Sequence, residues 1–383
     1  MPSLDDETLQ RVAEVWGRFV DSGRIVGGVL LLAQCGELRY ASARGWANRE
    51  RRVPMLRQTR FRLASLSKLL TSVTALRLCE QGVLALDAPV TTWLPTFRPR
   101  LPDGREPVIS LRHLLSHSAG LGYGFEQPPG NAYQLAGVSD GLDLSGIDLA
   151  ENLRRLARVP LLFSPGTAWG YSLATDVVGA VIEQASGESL SRNISRWVTE
   201  PLGMSATSFD VPNDADLAVA YKDGPDVPSV IGVADVLELD SGHAHVSSER
   251  AFCSEQYLSG GAGLSGTADD YLRLLECLRL GGAPLLSAAS TRQLLGNALG
   301  ETLIKGRGPG WTFGLGPMVL SDPVAAGQRQ GAGTWSWCGV YGSHYWVDPQ
   351  AGITLVVMTN TAVAGAWGAL ADGLVEAIYG PSG

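Results

Sequence analysis

The sequence contains very little lysine: of its 30 basic residues only three, Lys68, Lys222 and Lys305, are lysines. With 38 acidic residues, the net charge is −8. Nucleic acids and anionic membranes both favour a basic partner surface, so we expect neither as a partner. Because lysine is so rare in this chain, the setting of each lysine is worth examining for a specific role.

Cysteine is also scarce, with five residues scattered along the 383. No Cys-x-x-Cys pair or cysteine–histidine spacing typical of zinc sites occurs, so the sequence predicts no metal and no cofactor. The N-terminus lacks the basic and apolar segments of a secretory signal, and no apolar run approaches the roughly 18 residues that cross a bilayer. Together with unpaired thiols, this predicts a soluble, cytoplasmic protein.

Hydrophobic periodicity divides the chain into strand-rich ends and a helical middle. Apolar alternation predicts strands over residues 26–34, 37–47, 310–320, 333–341, 343–347 and 353–360. The sequence therefore predicts an α+β fold, in which residues 1–90 and 285–383 build an antiparallel sheet flanked by helices. Residues 91–284 are expected to form an inserted, mostly helical subdomain with irregular loops, and residues 1–383 to form one unit.

The strongest chemical signal is Ser65-Leu-Ser-Lys68 at the start of a helix predicted over 65–81. Residues i and i+3 share a helix face, so the Ser65 hydroxyl and the Lys68 amine can meet beside the free N–H groups of the helix start. Lys68 is the only charged residue between Arg62 and Arg77. Desolvation lowers the pKa of such a lysine toward the range that suits a general base. A serine N-cap with a lysine that reaches solvent is the structural alternative.

Two later segments carry groups that complete such a site. Tyr171 lies in a Pro/Gly-rich turn, from which its phenol can relay a proton between Ser65 and a leaving group; a tyrosine that simply covers a helix start is the alternative. Residues 333–342 alternate like a strand, with Gly339 where a ligand would approach the backbone. Beside the serine, this strand offers the Val340 N–H as an oxyanion donor, together with the Ser65 N–H.

In this order, the three segments resemble the esterases of the class C β-lactamase-like superfamily, the family VIII carboxylesterases. Further stretches resemble recurring family segments, namely Leu114–Leu121, Pro201–Met204, Gly260–Gly263 and Thr359–Asn360. The resemblance implies a β-lactamase-like fold with catalytic Ser65, Lys68 and Tyr171 between the sheet and the helical subdomain. It also implies a serine carboxylesterase that hydrolyses short-chain esters through an acyl-enzyme on Ser65.

Two positions depart from the β-lactamases and peptidases of that superfamily. Leu173 stands where their asparagine binds the substrate's amide, and Trp337 stands where their lysine holds a substrate carboxylate. Both changes remove polar contacts, so we do not expect strong β-lactamase activity. We expect instead an apolar cleft for a neutral small-molecule ester. The residues expected to bind substrate there are Trp337, Gly339, Tyr123, Phe125, Tyr133 and Leu173.

Several alternatives stay open. An acyltransferase or transesterase acting on a natural-product alcohol, and an amidase or D-aminopeptidase, would use the same residues, whereas a ligand sensor would be acylated and stop. A Ser-His-Asp hydrolase is disfavoured, because the one Gly-x-Ser-x-Gly stretch of the sequence, Gly137–Gly141, is expected to form a turn. We expect His243 and His245 in a surface loop and residues 139–141 in a turn. Asp176, one helical turn past Tyr171, either orients a group of the site or caps its helix, and we favour the cap. The assembly is expected to be a monomer or a small homo-oligomer.

Overall fold

The computed structural model describes residues 4–211, 217–253, 255–304 and 306–380. These residues form the α-helices α1 (Asp6–Asp21), α2 (Ser67–Glu80), α3 (Leu111–Leu115), α4 (Ala132–Leu135), α5 (Leu149–Leu156), α6 (Ala174–Ser186), α7 (Leu190–Ile194), α8 (Ala268–Arg279), α9 (Ala288–Leu295) and α10 (Ala369–Tyr379). The longest of them, α1, begins at the N-cap Asp5, whose side chain accepts the N–H of Thr8.

The strands are β1 (Gly27–Gln34), β2 (Glu37–Asn48), β3 (Val53–Pro54), β4 (Phe61–Arg62), β5 (Tyr221–Lys222), β6 (Ser229–Val230), β7 (Asp235–Leu239), β8 (Gly242–Val246), β9 (Ser265–Gly266), β10 (Trp311–Phe313), β11 (Met318–Leu320), β12 (Trp335–Gly339), β13 (Ser343–Asp348), β14 (Ile353–Thr359) and β15 (Thr361–Ala362). The largest sheet is antiparallel and has the order β10-β11-β12-β13-β14-β1-β2-β3. Its strands come from both ends of the chain, so the termini meet in one layer.

The centre of this sheet is apolar on both faces. β1 and β14 are antiparallel neighbours, with Leu31 opposite Val356 and Leu30 opposite Val357. Because successive side chains point to opposite faces of a sheet, the strands serve two cores. Leu30 and Val357 pack with side chains of α1 and α10, whereas Leu31 and Val356 belong to the main core with α2 and α8.

Helix α2 runs through the interior between the sheet and the helical part of the chain. Every residue from Ser67 to Leu76 is buried, and α2 packs against α6, α7 and α9. A helix that is buried all round has no solvent-facing side. Lys68, which is 1 % exposed, therefore does not reach solvent, and the structural alternative for this lysine is excluded.

The observed elements refine three of the sequence predictions. The strand predicted over 310–320 is two strands, β10 and β11, because a turn closes where the Gly314 N–H donates to the Pro317 carbonyl at 2.8 Å. The irregular region after residue 205 contains the hairpin β7–β8. Helix α8, which falls in the segment expected to be the inserted subdomain, packs against β1 and β14 of the sheet.

Among the described residues, no helix combines the length and apolarity needed to cross a membrane.

Candidate active site

The candidate nucleophile lies on a tight turn where β12 meets the start of α2. Residues Ala64–Leu66 form a 3-10 turn that leads into α2, and Ala64 adopts a φ of 45°, which is uncommon for a residue with a side chain. Gly339 packs against this turn, where a Cβ would lie 2.4 Å from the Leu63 carbonyl oxygen. Glycine is required at this position so that the strand and the turn can touch. The group that lies close to the Gly339 backbone is therefore Leu63, whereas the sequence had suggested a ligand.

Three polar side chains meet at Ser65. The Lys68 Nζ donates a hydrogen bond to Ser65 Oγ at 3.2 Å, and the Tyr171 hydroxyl donates to the same oxygen at 2.5 Å. The Lys68 Nζ also donates to the Gly261 carbonyl at 2.8 Å. The serine oxygen therefore lies between two groups that can exchange a proton with it, which is the arrangement that activates a hydroxyl nucleophile.

Burial changes how both partners of Ser65 titrate. It lowers the pKa of Lys68 from 10.5 to about 7, although the negative charge of Asp176 acts in the opposite direction. Burial also raises the pKa of the Tyr171 phenol above its ordinary value of 10.0, so this group keeps its proton. Near neutral pH a substantial fraction of Lys68 is a neutral amine, and a neutral amine can accept the proton of the serine.

Aromatic rings hold Tyr171 from three sides. Its ring centroid lies 5.0 Å from that of Tyr123, 5.1 Å from that of His117 and 5.2 Å from that of Trp337. His117 Nδ1 also contacts Ser172 Oγ at 3.0 Å. Burial lowers the pKa of His117 well below 6.5. The histidine is therefore a neutral packing group that supports the tyrosine loop.

Ser65 opens into a cleft of about 420 Å³ with mainly aromatic and aliphatic walls. Trp337, Tyr123, Phe125 and Val340 line this cleft together with Ser65. The Phe125 ring stacks on Tyr123 with centroids 4.5 Å apart, so one wall is a continuous aromatic surface. The lining also includes Leu142, Trp169, Met318 and Trp367, the acidic side chains of Glu126, Asp140 and Asp240, and the basic side chain of Arg307.

Tyr133 and Leu173 were expected in the wall, but the structure places both behind it. The Tyr133 hydroxyl accepts the Gly122 N–H at 2.6 Å, and the side chain is 2 % exposed. Leu173 directly precedes α6 and is 1 % exposed in the main core. Within the described residues, neither they nor Gly339 line the cleft. Tyr133 supports a loop, Leu173 fills the core, and Gly339 is covered by the turn at Leu63.

Two carboxyl groups belong to the site although no sequence pattern marks them. Asp140, expected in a turn, lines the cleft and accepts the Gly124 N–H at 2.9 Å, and burial raises its pKa to about 7. Asp176, expected to cap α6, instead accepts hydrogen bonds from Ser259 Oγ and the Gly261 N–H, each at 2.7 Å. The partners of Asp176 lie 83 and 85 residues along the chain, so short-range spacing carries no sign of them.

His243 and His245 lie on strand β8 and not in a loop. His243 Nδ1 is 2.8 Å from Glu238 Oε2 on the neighbouring strand β7. Among the residues that the structure describes, no group of three histidine, cysteine or acidic side chains is arranged to hold a metal ion. His243 therefore makes a cross-strand contact within the hairpin.

A protein-family model described as Beta-lactamase matches residues 12–377. The chain belongs to the beta-lactamase family. Esterase EstB of Burkholderia gladioli is 45 % identical to it over 98 % of this chain and 97 % of its own length. The structure of EstCE1, a hydrolase with promiscuous acyltransferase activity, matches with a TM-score of 0.93 and 42 % identity, covering 99 % of this chain and 100 % of that one.

Beta-lactamase family membership confirms both the resemblance drawn from the three sequence segments and the predicted α+β fold. The similar proteins include transferases as well as esterases. Monacolin J acid methylbutanoyltransferase of Aspergillus terreus is 27 % identical over 87 % of this chain and 86 % of its own length. Proteins similar to this chain therefore include both esterases, which transfer an acyl group to water, and transferases, which transfer it to another acceptor.

Proposed function

We propose that this chain is a serine carboxylesterase that hydrolyses short-chain, neutral carboxylic esters through an acyl-enzyme on Ser65. The observation that carries the proposal is the pair of contacts at the serine hydroxyl, with Lys68 Nζ at 3.2 Å and the Tyr171 hydroxyl at 2.5 Å. The 45 % identity with Esterase EstB over nearly the whole chain supports the same class of reaction.

In the first step, Ser65 Oγ attacks the ester carbonyl while its proton passes to the Lys68–Tyr171 pair. Because both groups contact one oxygen, the role of base belongs to the coupled pair and not to one member. The negative charge on the carbonyl oxygen is stabilised by the N–H groups of Ser65 and Val340, the proposed oxyanion hole. The pair then returns the proton to the alcohol, which leaves, and the acyl group remains on the serine.

In the second step, water attacks the acyl-enzyme at the same carbonyl carbon. The Lys68–Tyr171 pair takes a proton from the water, and the same two N–H groups stabilise the oxyanion. Collapse of this intermediate breaks the bond to Ser65 Oγ, which regains its proton from the pair. The products are the free carboxylic acid and the original enzyme.

The cleft favours an ester without a charged group. Trp337 occupies the β12 position where the β-lactamases of the superfamily carry a lysine for the substrate carboxylate. Three acidic side chains, Glu126, Asp140 and Asp240, line the same cleft beside one basic side chain, Arg307, and this excess of acidic groups disfavours anionic substrates. Apolar walls around about 420 Å³ fit a short acyl chain and a small alcohol. Beta-lactams, which are anionic, are therefore expected to be poor substrates.

Acyl transfer to an alcohol is the second candidate, because EstCE1, at 42 % identity, is described as a hydrolase with promiscuous acyltransferase activity. An acceptor alcohol would replace water in the second step, and its oxygen would form the new ester bond. Measuring the ratio of new ester to free acid as an alcohol is added tests this candidate. An amidase or D-aminopeptidase has less support, since Trp337 offers no charge to a peptide carboxylate.

The proposal places the enzyme in the cytoplasm, as a monomer or small homo-oligomer acting on a small-molecule ester. All five cysteines are unpaired, which suits a reducing compartment. Cell fractionation would test the location, and light scattering on the purified protein would give the oligomeric state.

Hydrolysis of p-nitrophenyl esters with two to eight acyl carbons tests the proposed activity. Steady turnover is expected on the short chains, and Ser65→Ala and Lys68→Ala should each reduce it by roughly 1,000-fold or more. Ser67→Ala is the matched control, because the Ser67 hydroxyl accepts the Leu264 N–H at 3.1 Å and does not line the cleft. Full activity in Ser65→Ala would contradict the proposal. A burst of one turnover that then stalls would favour acyl transfer or a sensor.

A further inference from the structure

We infer that Asp176 is a positioning residue that fixes Gly261 and, through it, holds Lys68 where the lysine contacts Ser65. The inference rests on the proposed function and extends it to a residue outside the three sequence segments. Asp176 lies in the first turn of α6, shortly after the Tyr171 segment ends. One short piece of chain therefore supplies both the phenol and the carboxylate of the site.

The contacts form a chain from the carboxylate to the nucleophile. Asp176 Oδ1 accepts the Gly261 N–H at 2.7 Å, and the Gly261 carbonyl accepts Lys68 Nζ at 2.8 Å. The same lysine nitrogen reaches Ser65 Oγ at 3.2 Å. A second donor, Ser259 Oγ, holds Asp176 Oδ1 at 2.7 Å. The carboxylate thus fixes the N–H side of a residue whose carbonyl holds the catalytic lysine.

Gly261 has no side chain because three polar groups converge on it. A Cβ at this position would lie 3.2 Å from Asp176 Oδ1 and 3.3 Å from both Lys68 Nζ and the Tyr123 hydroxyl oxygen. Such contacts are tighter than ordinary van der Waals distances. The segment is therefore shaped so that carboxylate and amine approach one backbone unit from either side.

Helix capping does not explain the burial of this carboxylate. Asp176 is 1 % exposed, and its Oδ2 atom has no hydrogen-bond partner within the described part of the chain. The α6 N-cap is Leu173, which makes no side-chain capping bond. An unpartnered carboxylate oxygen in the interior is unfavourable, and the position of this carboxylate near the buried Lys68 points to an electrostatic role.

Among the groups around Lys68, Asp176 is the carboxylate that favours the protonated form of the lysine. Burial raises the pKa of Tyr123, Tyr171 and Cys338 and lowers that of His117, so all four are neutral near pH 7. The charge of Asp176 raises the pKa of Lys68, against the effect of burial. Burial raises the pKa of Asp176, while its hydrogen bonds from Gly261 and Ser259 and the charge of Lys68 act in the opposite direction. The groups that face Lys68 or act on it are Ser65, Tyr123, Tyr171, Asp176, His117, Gly261 through its carbonyl, and Cys338.

Two variants separate the position that Asp176 provides from its charge. Asp176→Ala removes the acceptor of the Gly261 N–H, so kcat for p-nitrophenyl butyrate should fall roughly tenfold or more with KM little changed. Asp176→Asn keeps an acceptor oxygen and should restore most of kcat. Because it removes the negative charge beside Lys68, the acidic limb of the kcat/KM profile should move to lower pH by about one unit.

Further variants keep the test decisive. Ser259→Ala removes one donor to the carboxylate without touching Gly261 and should move the acidic limb in the same direction by less, which matters if Asp176→Ala does not fold. Asp269→Asn alters a surface carboxylate that pairs with Arg57 and should leave the profile unchanged. Unchanged kcat in a folded Asp176→Ala protein, or an unmoved acidic limb in both Asp176→Asn and Ser259→Ala, would overturn the inference. Loss of activity in Ser65→Ala alongside that result would leave the esterase proposal intact, so the two failures are distinguishable.

Discussion

The centre of the sheet and the junction around Ser65 both bury side chains, but the buried residues are of opposite character. In the sheet, β1 and β14 bury apolar side chains on both faces, and residues such as Leu30 and Leu355 are 0 % exposed. The junction buries a lysine, a tyrosine and an aspartate instead, and the Asp176 Oδ2 atom is without a hydrogen-bond partner among the described residues. Burial in the sheet stabilises the fold, whereas burial of polar and ionisable groups at the junction costs free energy, and the proposed reaction depends on those groups.

The size of this contrast can be estimated at Lys68. A change of one pKa unit corresponds to about 1.4 kcal/mol, so a fall from 10.5 to about 7 makes the buried lysine roughly 4–5 kcal/mol unfavourable near neutral pH. Domains are typically stable by only about 5–15 kcal/mol in total. The cost of burying this one lysine is therefore a large fraction of a typical domain's stability.

Lys68→Met gives the sharpest test of the contrast and the largest expected effect. Methionine keeps a long, unbranched chain and needs no desolvation of a charge. Esterase activity should fall by roughly 1,000-fold or more, while the free energy of unfolding at pH 7, measured by urea titration, should rise by on the order of 2–4 kcal/mol.

The pH dependence of that gain follows from the lowered pKa. Between pH about 7 and 10.5 the unfolded chain holds the proton that folded Lys68 has released, so the stability of the parent protein rises with pH across this window. The advantage of Lys68→Met should be full at or below pH 7 and vanish near pH 10.5. Lys222→Met is the control, because Lys222 is 34 % exposed and pairs with Asp235, and it should show no such gain. A less stable Lys68→Met protein at pH 7 would contradict the comparison.

Leu355→Ala reverses the expectation on the sheet side. Leu355 lies on β14 in the core with α1 and α10, and truncation of a buried leucine costs about 2–5 kcal/mol. The unfolding free energy should fall by that amount, while kcat of the folded protein stays within about twofold, because no reacting group moves. A large fall in kcat with little loss of stability would show that the two regions are not separable in this way.

Arg57→Gln should have the smallest effect. Arg57 pairs with Asp269 at 2.6 Å, but the two side chains are 47 % and 29 % exposed, and pairs of this kind contribute about 0–1 kcal/mol. We expect a loss of less than about 1 kcal/mol in the unfolding free energy, a smaller difference in high salt, and unchanged turnover. A loss comparable to that of Leu355→Ala would mean that surface charge carries more of the stability than the apolar core suggests.

Much of the fold follows from local patterns, because strand alternation and helical spacing are properties of neighbouring residues. Strands β1 and β2, the late strands β12 to β14 and helix α2 were all predictable in this way. Ser65 and Lys68 share this advantage, since an i, i+3 pair on one helix face is already a geometric statement. Tyr171 required the order of three segments along the chain.

The parts of the site that local patterns could not reveal depend on side-chain direction and on distant contacts. Tyr133 and Leu173 have the right residue type and position in the chain, yet both point away from the cleft. Asp140 and Asp176 looked like turn and cap residues because their role is set by segments far along the chain. A closely packed interior decides which way such side chains turn, and spacing in sequence does not encode that choice.

Trapping the acyl-enzyme tests the central claim most directly. The protein would be mixed with p-nitrophenyl butyrate, quenched in acid during turnover, digested and analysed by mass spectrometry, beside Ser65→Ala and Ser67→Ala. If Ser65 is the nucleophile, one butyryl group will be found on the peptide that contains Ser65 in the parent and in Ser67→Ala, and none in Ser65→Ala. Acylation of another residue, or turnover in Ser65→Ala, would contradict it.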